Sequence, residues 1–178
     1  FVSVTYGARG STCDATFETV RRMAAETHLR PAAHLTCVGH GRAEIARLLE
    51  QYWSAGVRHI LALRGDPPAG SASSATAPDG LAYAADLVAF IKTVADFEIS
   101  VAAYPETHPQ AVSAGADIDN LKRKLDAGAS RAITQYFFDN ASYLRFLERA
   151  RRAGIDAPLI PGILPVTNFA QVVRFSAM

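Results

Sequence analysis

Short, nearly unbroken apolar runs alternate along the chain with longer stretches in which apolar residues return every three or four positions. The runs at 1–6, 33–38, 59–63, 99–104, 131–138 and 159–166 have strand length. Their continuity, in place of alternation, predicts strands buried on both faces of a parallel sheet. Between them, Ile45, Leu48, Leu49, Tyr52 and Trp53 fall at i, i+3, i+4, i+7 and i+8, the single stripe of an amphipathic helix. Leu87, Phe90, Ile91 and Val94 repeat the stripe, and so do Tyr143, Phe146, Leu147 and Ala150. A thinner one, Phe17, Val20 and Ala24, follows Ser11 and Asp14 at capping-box spacing. Ala55-Gly56, Ala127-Gly128 and Ala153-Gly154 each stand between a helical stretch and the next strand, where glycine supplies the left-handed cap that turns the chain back.

Repeated βα units with short αβ turns define a parallel α/β protein. Two phosphate-loop readings fail. Residues 7–12, Gly-Ala-Arg-Gly-Ser-Thr, have neither G-x-G-x-x-G spacing nor the Walker lysine, and Gly39-His40-Gly41 has Glu44 where a third glycine belongs. A βα barrel remains, with its active residues gathered at the carboxyl ends of the strands. Residues 67–80, rich in Pro, Ala, Ser and Gly, read as a loop after the strand that ends in Arg64-Gly65-Asp66.

Composition narrows the class further. With 178 residues, 49% hydrophobic, 20% charged and a net charge of +1, the chain is one folded domain with no global field for nucleic acid. No apolar run reaches the roughly 20 residues of a membrane span. No basic start with a cleavage site marks a secretory signal, and Cys13 and Cys37 are too few for a disulfide framework. These features predict a cytoplasmic protein. The chain lacks an initiator Met and opens inside a β-like run, so a piece of a longer protein is expected.

The barrel rule selects Thr5, His34, Thr36, Arg64, Asp66, Tyr104, Glu106, Thr134 and Gln135 as strand-end polar groups, each of which could equally face water. Gly65 permits close backbone approach to a ligand, and Asp66 brings a carboxylate to the mouth or caps a turn. His34 and Thr36 share a strand face, but no further His or carboxylate stands at ligand spacing, so no metal site is expected. His59 begins its strand and reads as structural. Lys122-Arg123-Lys124, after Asp117 and Asn120, reads as a solvated helix face unless an anionic ligand lies over it. No nucleophile–base set and no close carboxylate pair stands out. Residues alone define a barrel enzyme with a polar mouth and leave its reaction open.

A run of ordered motifs goes further. Phe1-Val-Ser-Val-Thr-Tyr-Gly-Ala8, His34-Leu-Thr-Cys37, His59-Ile-Leu-Ala-Leu-Arg-Gly-Asp-Pro-Pro68, Ala102-Ala-Tyr-Pro-Glu106 with His108, Asn120-Leu-Lys-Arg-Lys124, Arg131-Ala-Ile-Thr-Gln135 and Pro161-Gly-Ile-Leu-Pro165 together resemble the bacterial methylenetetrahydrofolate reductase family, end to end. The resemblance implies an FAD-containing (β/α)8 TIM barrel of one-carbon metabolism, of which residues 1–178 would be strands 2 to 7, lacking the first and last strands. It implies ping-pong hydride transfer from NADH or NADPH to FAD, and then to 5,10-methylenetetrahydrofolate, giving 5-methyltetrahydrofolate. FAD contacts carried over by position are Thr5, His34, Arg64, Gly65, Asp66, Tyr83, Ala84, Tyr104, His108, Asp117, Asn120, Arg123 and Lys124, the basic helix serving the anionic diphosphate. Asp66 resembles the family carboxylate at the flavin's pyrimidine edge, which also contacts the pterin. Gln135, Gln171 and Phe175 resemble folate contacts, Phe175 as a ring that stacks on folate or nicotinamide.

Two departures accompany the match. The family's general-acid Glu, in a Phe-Glu-Phe-Phe-Pro-Pro type of sequence, would lie upstream of Phe1, and the last strand would lie beyond Met178. Missing neighbours would leave two unpaired edges, so these residues alone are expected neither to close a barrel nor to turn over folate. The same pocket would serve a non-catalytic flavin- or folate-binding relative, or a methyltetrahydrofolate oxidase or demethylating enzyme. The choice between NADH and NADPH, and a homo-oligomeric state, are both open.

Overall fold

The computed structural model describes residues 1–5, 13–65 and 77–176. Its elements run β1 (Val2–Val4), α1 (Cys13–Glu26), β2 (Pro31–Thr36), α2 (Arg42–Ser54), β3 (His59–Leu63), α3 (Ala84–Val94), β4 (Glu98–Ala103), α4 (Ala114–Asp126), β5 (Arg131–Tyr136), α5 (Asn140–Arg152), β6 (Leu159–Gly162) and α6 (Phe169–Ser176). All six strands are parallel, and each pairs with its neighbour in sequence, in the order β1-β2-β3-β4-β5-β6. A doubly wound sheet reverses its strand order at a switch point; here the order never reverses, as in part of a barrel.

The strands lie where the apolar runs predict, with trimmed ends. β2 starts earlier, since Pro31 is tolerated as a first strand residue. β5 stops at Tyr136, where Phe137 leaves the sheet to stack on Tyr143. Three helices close as expected: Gly56, Gly128 and Gly154 have φ of +82°, +120° and +75°. The next N–H in each case reaches back five residues, Val57 to Tyr52, Ala129 to Lys124 and Ile155 to Ala150. Ser11, of the capping-box expectation, lies outside the described residues, as does most of the 67–80 loop. The loop's last residue, Gly80, forms an isolated bridge with Gly41 at the start of α2, so close that a Cβ on Gly80 would lie 2.9 Å from the His40 carbonyl oxygen.

The central strands are buried on both faces, as the unbroken apolar runs predict, and the two faces differ in what they carry. Side chains of one parity, including Leu35, Ile60, Ala62, Ile99, Val101 and Ala132, join Val20, Leu49, Tyr52, Ile91, Leu121 and Phe146 of the helices in the core. The other parity is set by the register His34–Leu61–Ser100–Arg131 and carries Ser3, His34, Thr36, Glu98, Ser100, Arg131 and Gln135. With strands ordered by sequence, crossovers of one hand place all the helices on one side, and the polar residues occupy the other. No helix among the described residues is long and apolar enough to cross a membrane.

Candidate active site at the carboxyl ends of the strands

Parallel pairing brings the ends of β2, β3 and β4 to one edge of the sheet. The Arg64 carbonyl accepts the Cys37 and Val38 N–H groups at 3.2 and 2.9 Å and the Cys37 thiol at 3.4 Å, drawing the segments after β2 and β3 together. Gly65 has φ +85°, and a Cβ there would lie 2.9 Å from the Thr36 Cβ, so both conformation and space require glycine. Burial pushes the Cys37 thiol up to about 11, which marks it as a packed side chain and not a nucleophile. The Arg64 guanidinium extends the other way and donates to Gln110 Oε1 at 2.7 Å.

Gln110 belongs to the turn between β4 and α4, which is held by side chains. The His108 N–H donates to Asp117 Oδ2 at 2.9 Å, and His108 Nδ1 accepts the Gln110 N–H at 3.0 Å. The His108 ring meets Tyr104 edge-on, centroids 4.6 Å apart. Thr107, between them, has φ +78°, the one positive value at a non-glycine among the described residues, and such strain is typical of binding turns.

Asp117 opens α4 after the Ser113 cap, whose oxygen accepts the Ala116 N–H at 3.1 Å. Lys124 lies seven residues on and therefore on the same helix face. Its ammonium donates to the Ala102 carbonyl at 2.5 Å, and burial pushes its pKa down to about 8, opposed by the Asp117 carboxylate. The run Lys122-Arg123-Lys124 is thus not one solvated face. Lys122 pairs outward with Asp126, Arg123 donates to Asn120 Oδ1, and Lys124 turns into the end of β4.

His34 points from the helix-free face of β2. Burial lowers its pKa, and its Nε2 atom is buried with no hydrogen-bond partner among the described residues. Thr5, exposed just past β1, accepts the Thr16 hydroxyl on its carbonyl at 3.1 Å. Tyr83, 63% exposed, precedes Ala84 at the start of α3, its N–H donating to Asp86 Oδ2 at 3.0 Å. Gln135 is exposed at the end of β5. Asp66 lies outside the described residues; Gln171 and Phe175 fall within α6, with side chains outside the description. Of the sequence candidates, Arg64, Gly65, Tyr104, His108, Asp117 and Lys124 form one connected edge. Gln110, which joins Arg64 to that edge, carried no sequence signal beyond lying in a turn. Among the described residues no group of three or more His, Cys, Asp or Glu is arranged to hold a metal ion.

Fold and site together define a parallel α/β protein with a strained, incompletely matched polar edge at its carboxyl strand ends. The chain belongs to the methylenetetrahydrofolate reductase family, whose model it matches over residues 1–178. It is 55% identical over its whole length to the 5,10-methylenetetrahydrofolate reductase of Salmonella typhimurium and 54% identical to that of Escherichia coli. It covers 58% of the length of each. A maize relative named methylenetetrahydrofolate reductase (NADH) 1 is 40% identical over 99% of this chain and 32% of its own. Among solved structures, a phosphonopyruvate hydrolase complex with oxalate and Mg++ superposes with a TM-score of 0.57 at 13% identity, over 96% of this chain and 65% of that one. An oxaloacetate acetylhydrolase gives 0.57 at 13%, over 99% and 71%. These last two likenesses are of fold alone.

Proposed function

We propose that these residues are the flavin-binding part of a (β/α)8 barrel reductase. In this reading NADH or NADPH reduces bound FAD, and 5,10-methylenetetrahydrofolate is reduced to 5-methyltetrahydrofolate in a separate half-reaction. The observation that carries the reading is Lys124, a half-buried ammonium at the strand ends bonded to a neutral carbonyl. A buried cation is disfavoured unless an anion offsets it, and a dinucleotide's diphosphate is such an anion.

The residues present fit FAD. Lys124 and Arg123 would hold the diphosphate, with Asp117 and Asn120 on the same helix. Gly65 lets the segment after β3 pass tightly against Thr36, and the unmatched His34 Nε2 offers a hydrogen bond to a polar ring edge. Thr5, Arg64, Tyr83, Ala84, Tyr104 and His108 complete the surround, and Asp66 is assigned to the pyrimidine edge. The chemistry FAD supplies when bound is two-electron transfer between a nicotinamide and a carbon substrate. The chain's own part is to bind, orient and exclude water. Gln110 fixes the Arg64 guanidinium, and Leu61, Leu63, Ala102 and Ile133 form an apolar floor on the helix-free face. Gln135, Gln171 and Phe175 are assigned to folate.

The test is the visible spectrum of the protein at its full native length, followed through anaerobic NADH and then methylenetetrahydrofolate. Flavin bands that bleach and then return are the expected result. A colourless protein would sink the cofactor assignment, and a bleached flavin that folate leaves reduced would sink the substrate.

A further inference from the structure

β5 contains one residue more than its pairing with β6 needs. Ile133 pairs with Ile160 and Tyr136 with Gly162, so three steps along β5 match two along β6. A one-residue bulge of this kind turns every later side chain to the opposite face. Thr134 and Gly162 lock it: the Gly162 N–H donates to Thr134 Oγ1 at 2.9 Å, and a Cβ on Gly162 would overlap the Thr134 carbonyl oxygen. The Gln135 side-chain oxygen accepts the Tyr136 N–H at 3.2 Å.

Simple alternation from Ile133 would put Phe137 on the helix-free face, and Tyr136 and Phe138 against the helices. The bulge reverses this. Phe137 lies on Tyr143 of α5 with the ring planes 1° apart and centroids at 5.0 Å. Tyr136, level with Gly162 on the helix-free side, meets Phe138 at 5.7 Å. Phe138 is 60% exposed, so its ring adds little to the core, yet it stands beside Gln135 at the carboxyl end of a strand.

We infer that Tyr136 and Phe138 form an aromatic ledge that receives a planar ring with an amide-type edge, Gln135 meeting that edge. The inference rests on the reductase reading, within which two molecules carry such a ring: the pterin of the folate and the nicotinamide of the reductant. The bulge is the device that places the ledge, and Gly162 is the residue that permits the bulge.

Phe138→Ala, Phe138→Trp and Phe137→Ala in the flavin-loaded, full-length protein test this, with flavin reduction by NADH and reoxidation by methylenetetrahydrofolate followed separately. Phe138→Ala should raise the half-saturating concentration about tenfold in at least one half-reaction, with flavin content and spectrum unchanged. The affected arm identifies the ring, pterin for reoxidation and nicotinamide for reduction. Phe138→Trp should restore it, and Phe137→Ala should lower Tm while leaving both concentrations alone. Unchanged half-saturation in both arms for Phe138→Ala overturns the ledge and leaves the reductase reading standing. If the unaltered protein fails to pass electrons to the folate, the reading falls and the ledge falls with it.

Discussion

Polar groups are withdrawn from water along the helix-free sheet face and at the carboxyl ends of the strands, and the two places treat them in opposite ways. At the amino ends of the strands the groups match one another. His59 Nε2 and Ser100 Oγ stand 2.7 Å apart, and Arg131 pairs with Glu98. Phe1 lies edge-on to His59 at 4.7 Å and under the Arg131 guanidinium at 5.7 Å. Toward the carboxyl ends Lys124 meets a neutral carbonyl and Thr107 is strained, and His34, in the same cross-strand row as Ser100, has a buried Nε2 with no partner among the described residues. Burying polar groups is unfavourable at either end, but only the amino end offsets it internally. The comparison teaches that burial alone does not mark a site. Burial without a match does.

The largest effect should come from breaking the carboxyl end. Lys124→Met is expected to weaken flavin binding about a hundredfold, roughly 2.7 kcal/mol, by removing a charge-assisted contact. Fluorescence titration of the apoprotein with FAD measures it. The pH dependence sharpens the point. Burial holds the Lys124 pKa at about 8 against 10.5 for a free amine, so between those values the unfolded chain binds more protons than the folded one. Apoprotein stability should therefore rise from pH 8 to 10.5, while FAD affinity falls over the same interval as the ammonium is lost. A purely structural lysine would give the first trend without the second.

The amino end should answer differently. Ser100→Ala is expected to lose about 2 kcal/mol of stability, because His59 keeps its burial and loses its partner, with FAD affinity unchanged. Chemical denaturation beside the same titration separates the two readouts. Burial pushes the His59 pKa down to about 4, with the Arg131 guanidinium as a lesser cause. Only the unfolded chain takes the proton between 6.5 and 4, so this contribution to stability is complete above pH 6.5 and is lost as pH falls toward 4. A Ser100→Ala protein that instead released its flavin would erase the distinction between the ends.

The sequence carried the comparison only in part. Strand positions were legible because their apolar runs are continuous, and the glycine-closed helices because left-handed caps demand glycine there. His59 could be placed at the amino end because it begins its run. The two-sided character of the sheet was hidden, since Ser3, His34, Ser100 and Arg131 are scattered through apolar runs and align only once the register is known. Lys124 was masked by two solvated neighbours of like charge. The bulge at Thr134–Gln135 was beyond reach, because it depends on a strand that follows in the chain, and alternation by itself misplaces three aromatic residues. Short-range pattern fixes elements; matching across strands fixes which polar groups are left over.

The smallest effect is the most discriminating. His34 and Ser100 lie in one cross-strand row, separated by Leu61, yet they fall on opposite sides of the comparison. Removing Ser100 strands a partner, whereas removing His34 strands nothing among the described residues, because its Nε2 is already unmatched. Replacing an unmatched buried polar group by an apolar one of similar volume is neutral or stabilising, so His34→Leu should leave the apoprotein level or raise its stability by about 1 kcal/mol. Burial also lowers the His34 pKa, so the variant should lose part of the acid sensitivity below pH 6.5 that the parent shows. Flavin affinity should fall at the same time, the reverse of the Ser100→Ala pattern. Denaturation midpoints and FAD titrations on the two variants decide it. A His34→Leu apoprotein destabilised as much as Ser100→Ala would mean that His34 has a structural partner after all, and that the row holds no unmatched group.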